Sequence, residues 1–131
     1  MTLELSPLVH IECVVPDAEK AYQFLHDSFG AEKVQEEFAG FLDGENARVI
    51  HVGLGDVVLQ FIQPITQEGS WYEQLRDKGP GVHNLTFVLD DMKEAVKTME
   101  SAGIVPKFLF PLDGPAGWEM SLLSQMPSRS T

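Results

Sequence analysis

The spacing of apolar positions changes from strand-like to helix-like at one point in each of two similar stretches. In residues 8–25, LVHIECVVPDAEKAYQFL, the change falls at Asp17, and in residues 82–99, VHNLTFVLDDMKEAVKTM, it falls at Asp91. Alternating apolar residues predict a half-buried strand, whereas the helical repeat predicts an amphipathic helix. When Asp17 is aligned with Asp91 the apolar positions of the two stretches coincide, so the chain repeats one strand-then-helix unit.

The first half continues from this unit into further strand signals. Asp17 is the expected N-cap of a helix that ends at Gly30. Strands are predicted before and after this helix, the last one closed by Pro64, at 7–15, 33–38, 48–54 and 57–63. Residues 7–64 therefore form a predicted βαβββ module.

The second half begins after a linker, residues 65–81, that carries a short helix at 70–78. A strand at 82–89 and a helix at 91–102 repeat the opening of the first module, and two further strands are expected at 104–110 and 118–125. This second module, residues 82–125, is one strand short. The predicted fold class is α+β, with tandem βαβββ modules in a single domain of residues 1–131.

Composition and charge exclude several kinds of partner. The chain is 44% apolar and 22% charged, as in ordinary globular proteins, and its formal net charge is −11. That charge repels phosphate and argues against nucleic acid and anionic membranes as partners. The N-terminal residues lack the pattern of a secretory signal, so we expect a cytosolic protein. The single cysteine, Cys13, is expected to be a core residue.

The segments HIECVVPDAEKAYQFL, LTFVLDDMKEAV and GDVVLQFIQP resemble the vicinal oxygen chelate superfamily. That group includes glyoxalase I, methylmalonyl-CoA epimerase, extradiol dioxygenases and bleomycin resistance proteins, and the linker before GPGVHNLTF is most similar to the epimerase branch. The resemblance implies a curled mixed sheet that forms a cup for a small organic ligand, with helices on the outside. In metal-dependent members, four side chains from the two modules hold a divalent ion in the cup.

The resemblance implies a ligand position on the first and last strand of each module. By these positions the four ligands would be His10, Gln60, Asn84 and Ser121. Imidazole, amide and hydroxyl groups without a carboxylate make a poor site for a dication. A β-bulge would bring His83 inward in place of Asn84, and a changed last strand would offer Glu119 in place of Ser121.

Several other residues are candidates for catalysis or ligand binding. Glu12 shares a strand face with His10, and either Glu12 or Glu119 would serve as a general base. The sequence does not determine which sheet face carries His51, and a surface position is favoured. Substrate-binding candidates from both modules are Asn84, His51, Ser121, Trp71 and Trp118.

The resemblance favours an enzyme that transfers a proton next to a carbonyl, as an isomerase, epimerase or lyase. A divalent metal (Zn, Ni, Co, Mn or Fe) would assist one version of this enzyme, held by His10, Gln60 and His83. The alternative is a metal-free protein that binds or sequesters a small molecule, as in the bleomycin-resistance branch. A dioxygenase is disfavoured, because the facial ligand set for iron is not cleanly present. A homodimer is predicted, since the short second module leaves a sheet edge uncovered.

Overall fold

The computed structural model describes residues 6–35, 43–87, 89, 91–104, 108–109 and 118–119, with the backbone alone at 92, 108–109 and 118–119. The described residues group into two compact units, one ending at Phe87 and the other beginning at Leu89. No helix among these residues combines the length and the apolar character needed to cross a membrane.

The first unit contains the predicted βαβββ order followed by the linker helix and one more strand. Its elements are β1 (His10–Val14), α1 (Ala18–Phe29), β2 (Glu32–Lys33), β3 (Ala47–Leu54), β4 (Val57–Pro64), α2 (Ser70–Lys78) and β5 (Gly81–Thr86). Helix α2 has its predicted bounds. Strand β1 begins at His10 and not at residue 7, where Pro7 has no N–H to donate to a neighbouring strand. Part of the segment predicted for β2, residues 36–38, lies outside the described residues.

These strands form one five-stranded sheet in the order β2-β3-β4-β1-β5. β1 runs parallel to β4, while the other neighbouring strands are antiparallel. The sequence assigned β5 to the opening of the second module. In the structure β5 belongs to the first unit, because it pairs along β1.

Helix α1 starts and ends where its capping residues predict. Asp17 has an extended backbone, and its carboxylate accepts a hydrogen bond of 3.1 Å from the Lys20 amide. Gly30 ends the helix with a φ of 70°, a left-handed conformation that glycine adopts without strain. The helix contacts β2, β3 and β4, so it covers one face of the sheet.

The core lies between α1 and this face. Its buried members are Ala18, Ala31, Ile50, Val52 and Phe61. Cys13 and Val15 pack against them, as the alternation in β1 predicts. The residues that alternate with them point to the opposite face of the sheet.

The second unit contains the repeated helix. Asp91 caps α3 (Met92–Ser101) through a hydrogen bond of 3.1 Å from the Glu94 amide, as Asp17 caps α1. β6 (Phe108–Leu109) pairs antiparallel with β7 (Trp118–Glu119). Ile104 is not in a strand, and residues 105–107, 110 and 120–125 of the two predicted strands lie outside the described residues.

Candidate active site

A row of polar side chains crosses the sheet face opposite α1. Gln60 of β4 is the register partner of both His51 in β3 and Glu12 in β1, and Glu12 is in turn the partner of Asn84 in β5. Register partners on neighbouring strands place their side chains on the same face. Four strands therefore bring these side chains together, although they are far apart in the chain.

The carboxylate of Glu12 lies near the middle of this row and is buried, with 6% of the residue exposed. The indole N–H of Trp71 donates a hydrogen bond of 2.7 Å to its Oε1. His83 Nδ1 lies 3.1 Å from the same oxygen and donates to it in the tautomer that carries its proton on Nδ1. A buried carboxylate needs such donors, because its charge has left water.

An irregularity in β5 allows His83 to reach Glu12. Glu12 is paired with Asn84 but Cys13 is paired with Val82, so His83 is an extra residue on the β5 side, as in a β-bulge. Regular alternation would turn His83 to the face opposite Asn84. With the bulge, both side chains reach the polar face, and Asn84 Nδ2 lies 3.4 Å from His83 Nδ1. In the tautomer that donates to Glu12, Nδ1 carries a proton and accepts no hydrogen bond from Asn84.

Gln60 is fully buried and is oriented by His51. The amide nitrogen of Gln60 lies 3.0 Å from His51 Nε2 and donates to it. The His51 ring packs against the His10 ring with centroids 5.7 Å apart, and 8% of His51 is exposed. The expectation of a surface position for His51 was wrong, because its strand partner is a buried polar residue on the face away from α1.

Two amide oxygens in the row have no hydrogen-bond partner among the described residues. They are Oε1 of Gln60 and Oδ1 of Asn84, both buried. A buried acceptor without a partner costs about 1–3 kcal/mol, and native proteins leave few of them. These oxygens therefore indicate where a donor group or a cation would bind.

A family model described as the Glyoxalase/Bleomycin resistance protein/Dioxygenase superfamily matches residues 9–117. The chain belongs to this superfamily. The match spans both described units and includes the whole polar row, so the fold inferred from the repeated strand-and-helix unit is confirmed.

Relatives of this superfamily member include methylmalonyl-CoA epimerases. The mouse mitochondrial methylmalonyl-CoA epimerase is 28% identical over 102 residues, which cover 77% of this chain and 56% of the mouse protein. The crystal structure of the Mycobacterium tuberculosis methylmalonyl-CoA epimerase has a TM-score of 0.69 at 21% identity, covering 84% of this chain and 74% of that chain. A Streptomyces coelicolor methylmalonyl-CoA epimerase in complex with 2-nitronate-propionyl-CoA has a TM-score of 0.64 at 18% identity, covering 80% and 77%. The two solved structures share the fold.

The described part of the polar row offers only some of the groups that bind a metal ion. Among the described residues, no three His, Cys, Asp or Glu side chains are placed to hold a metal ion. The amide oxygens of Gln60 and Asn84 that have no hydrogen-bond partner are nevertheless groups that can coordinate a cation. For Glu119 and Trp118 the structure describes only the backbone, in β7, and Ser121 lies outside the described residues.

Cys13 points away from the polar row, towards the core beneath α1. Burial raises the pKa of its thiol, and the negative charge of Glu12 raises it further. The thiol is therefore protonated at neutral pH and is a poor nucleophile. Its expected role as a core residue agrees with this environment.

The contact between Trp71 and Glu12 is the part of the site that sequence reasoning missed. The sequence named Trp71 only as a substrate-binding candidate, and the structure shows that its N–H donates to Glu12. Two features of the sequence bear on this contact: a glutamate in a strand with no basic residue beside it, and a tryptophan in the linker helix. Nothing in the sequence linked the two.

Proposed function

We propose that this protein is an epimerase-type enzyme that moves a proton at a carbon next to a carbonyl. The observation that carries the proposal is the buried Glu12 carboxylate, held by two donors on a sheet face that also carries unpartnered acceptors. A positioned carboxylate at hydrogen-bond reach of a carbon acid is a general base. Membership of the superfamily and the methylmalonyl-CoA epimerases among its relatives support this reaction type.

In the proposed reaction Glu12 takes the proton of the carbon acid. The C–H bond breaks, its electron pair moves to the carbonyl oxygen as an enolate, and the proton forms an O–H bond with the carboxylate. Return of a proton to the opposite side of the carbon gives the other epimer and needs an acid on that side. Glu119 stays the other candidate for the general base, as the sequence predicts.

Solvent deuterium exchange tests the proposal directly. Methylmalonyl-CoA is the first substrate to try, because the mouse and Mycobacterium tuberculosis relatives are named for its epimerisation. We expect deuterium from D2O to enter at the acidic carbon as the two epimers equilibrate, which mass spectrometry and NMR would measure. A panel of other carbon acids, including acyl thioesters and 2-oxo acids, extends the test. No exchange with any of them would refute the proposed function.

We propose that a divalent metal ion is the cofactor of this reaction. The residues that would hold it are Gln60 and Asn84 through their unpartnered oxygens, with His10 and His83 as the imidazoles of the predicted set. Such an ion would stabilise the negative charge of the enolate oxygen.

We expect the purified protein to hold about one equivalent of metal, which elemental analysis would measure. At a free metal concentration of about 100 times Kd, binding adds about 2.7 kcal/mol to the free energy of unfolding. A chelator should therefore lower the Tm, and Gln60→Met should abolish most of that difference. A melt that is the same with and without chelator, in protein that contains no metal, would contradict this.

A second function is favoured by the acceptors of the row. The Glu12 carboxylate and the two amide oxygens without a partner are all acceptors, which suit a ligand that donates hydrogen bonds. The net charge of −11 attracts cations. A metal-free protein that sequesters a cationic small molecule would use the same groups. A rise in Tm with organic cations, together with a lack of deuterium exchange in all carbon acids, would favour this function over the enzyme.

A further inference from the structure

We infer that Trp71 and His83 are positioning residues that hold Glu12 by one carboxylate oxygen and leave the other to take the substrate proton. This inference rests on the proposed function and assigns roles to two residues that act through the base. Trp71 is not in the row that crosses the sheet, and His83 enters it through the bulge in β5.

Both contacts fall on the same oxygen. Trp71 Nε1 donates to Glu12 Oε1 at 2.7 Å, and His83 Nδ1 lies 3.1 Å from Oε1. Among the described residues no hydrogen bond is made to Oε2. A carboxylate oxygen that accepts two donors is fixed in position, so the rotation of the side chain is restricted and the second oxygen faces one direction.

The three groups come from three different elements. Glu12 lies in β1, His83 in the bulge of β5, and Trp71 in the first turn of α2, which contacts β1, β4 and β5. The side chains of Glu12 and His83 are 8% and 6% exposed, so little water competes for the contact. Buried charged hydrogen bonds of this kind are strong and directional. The linker helix and the bulge thus set the orientation of the base.

This role differs from that of an aromatic side chain that binds the substrate through its ring. A side chain of that kind binds substrate and transition state equally well, and its loss raises KM. A residue that aligns the base acts only when the proton moves, and its loss lowers kcat. The two roles of Trp71 are therefore separated by kinetics.

The kinetic test is Trp71→Phe, which keeps an aromatic ring and removes the N–H. We expect kcat for deuterium exchange to fall roughly tenfold to a hundredfold, with KM within about twofold of the wild type. Tyr72→Phe is the matched control on the same helix and should change neither constant. A raised KM with unchanged kcat in Trp71→Phe would overturn the inference.

Conservative replacement of His83 provides a second arm. His83→Ala should lower kcat in the same way, and His83→Asn should recover part of the loss, because an asparagine amide nitrogen can occupy the place of Nδ1. Equal activities of the alanine and asparagine variants would contradict a hydrogen-bonding role for His83.

An NMR measurement tests the geometry independently of activity. The chain has two tryptophans, so its spectrum contains two indole N–H signals, and Trp71→Phe identifies the one that belongs to Trp71. A short bond to a carboxylate shifts this proton downfield. Glu12→Gln should move it upfield, whereas Glu73→Gln on the same helix should leave it in place.

An unchanged Trp71 signal in Glu12→Gln would refute the contact itself. Lack of exchange in the wild type, together with the expected shift, would refute the proposed reaction, and with it the assignment of Trp71 and His83 to positioning a base. The contact would then stand as structural only. The two failures are therefore distinguishable.

Discussion

Glu12→Gln is expected to lower the rate of deuterium exchange by roughly a hundredfold to ten-thousandfold, the contribution typical of a positioned general base. The substitution keeps the size of the side chain and an oxygen that accepts from Trp71, but it removes the group that takes the proton. The measurement is the initial rate of exchange at saturating substrate, with circular dichroism to compare the folded state.

Glu73→Gln is the matched control for this prediction. Glu73 is an exposed residue of α2. The change should leave the exchange rate within about twofold, as expected for a surface substitution away from the site. A Glu12→Gln enzyme that is folded and keeps more than about a tenth of the wild-type rate would show that another group is the base.

Ile62→Ala is expected to lower the free energy of unfolding by about 2–5 kcal/mol, the usual cost of a cavity left by a large buried side chain. Ile62 is fully buried in β4, where its register partners are Val14 in β1 and Val49 in β3. Ile62 lies two residues from Gln60 in β4, so its side chain is on the same sheet face as the polar row, and its loss removes apolar burial beside that row. Urea unfolding followed by circular dichroism would measure the change.

Ile65→Ala provides the same chemical change outside the sheet. Ile65 follows β4 and is 55% exposed, so its loss should alter the free energy of unfolding by no more than about 0.5 kcal/mol. Equal losses in the two variants would contradict the burial of Ile62. The exchange rate of Ile62→Ala at low temperature would also report how far the polar row depends on this packing.

Local patterns in the chain determine much of the fold. The same aspartate cap precedes both repeated helices, and Gly30 adopts the left-handed conformation that ends the first. Such signals depend on neighbouring residues, so they can be recognised without tertiary contacts. The resemblance built on the repeat also identified the superfamily that the family model confirms.

The candidate site could be predicted only in part. Alternation in β1 puts His10 and Glu12 on one face, and both are buried there. The surface position favoured for His51 is wrong, because alternation alone does not say which side of a strand is covered. The roles of Gln60, His83 and the other candidate residues stay predictions.

Among the described residues, the sequence by itself determined the helices, their aspartate caps, the order of the strands in the first unit and the residues that share a strand face, because each depends on residues close in the chain. Only the tertiary structure decided which faces meet, how β5 pairs with β1 and where the bulge falls. Trp71 and Glu12 are 59 residues apart, and their contact depends on the docking of the linker helix. Register and docking arise from packing between distant segments, which a local pattern does not encode.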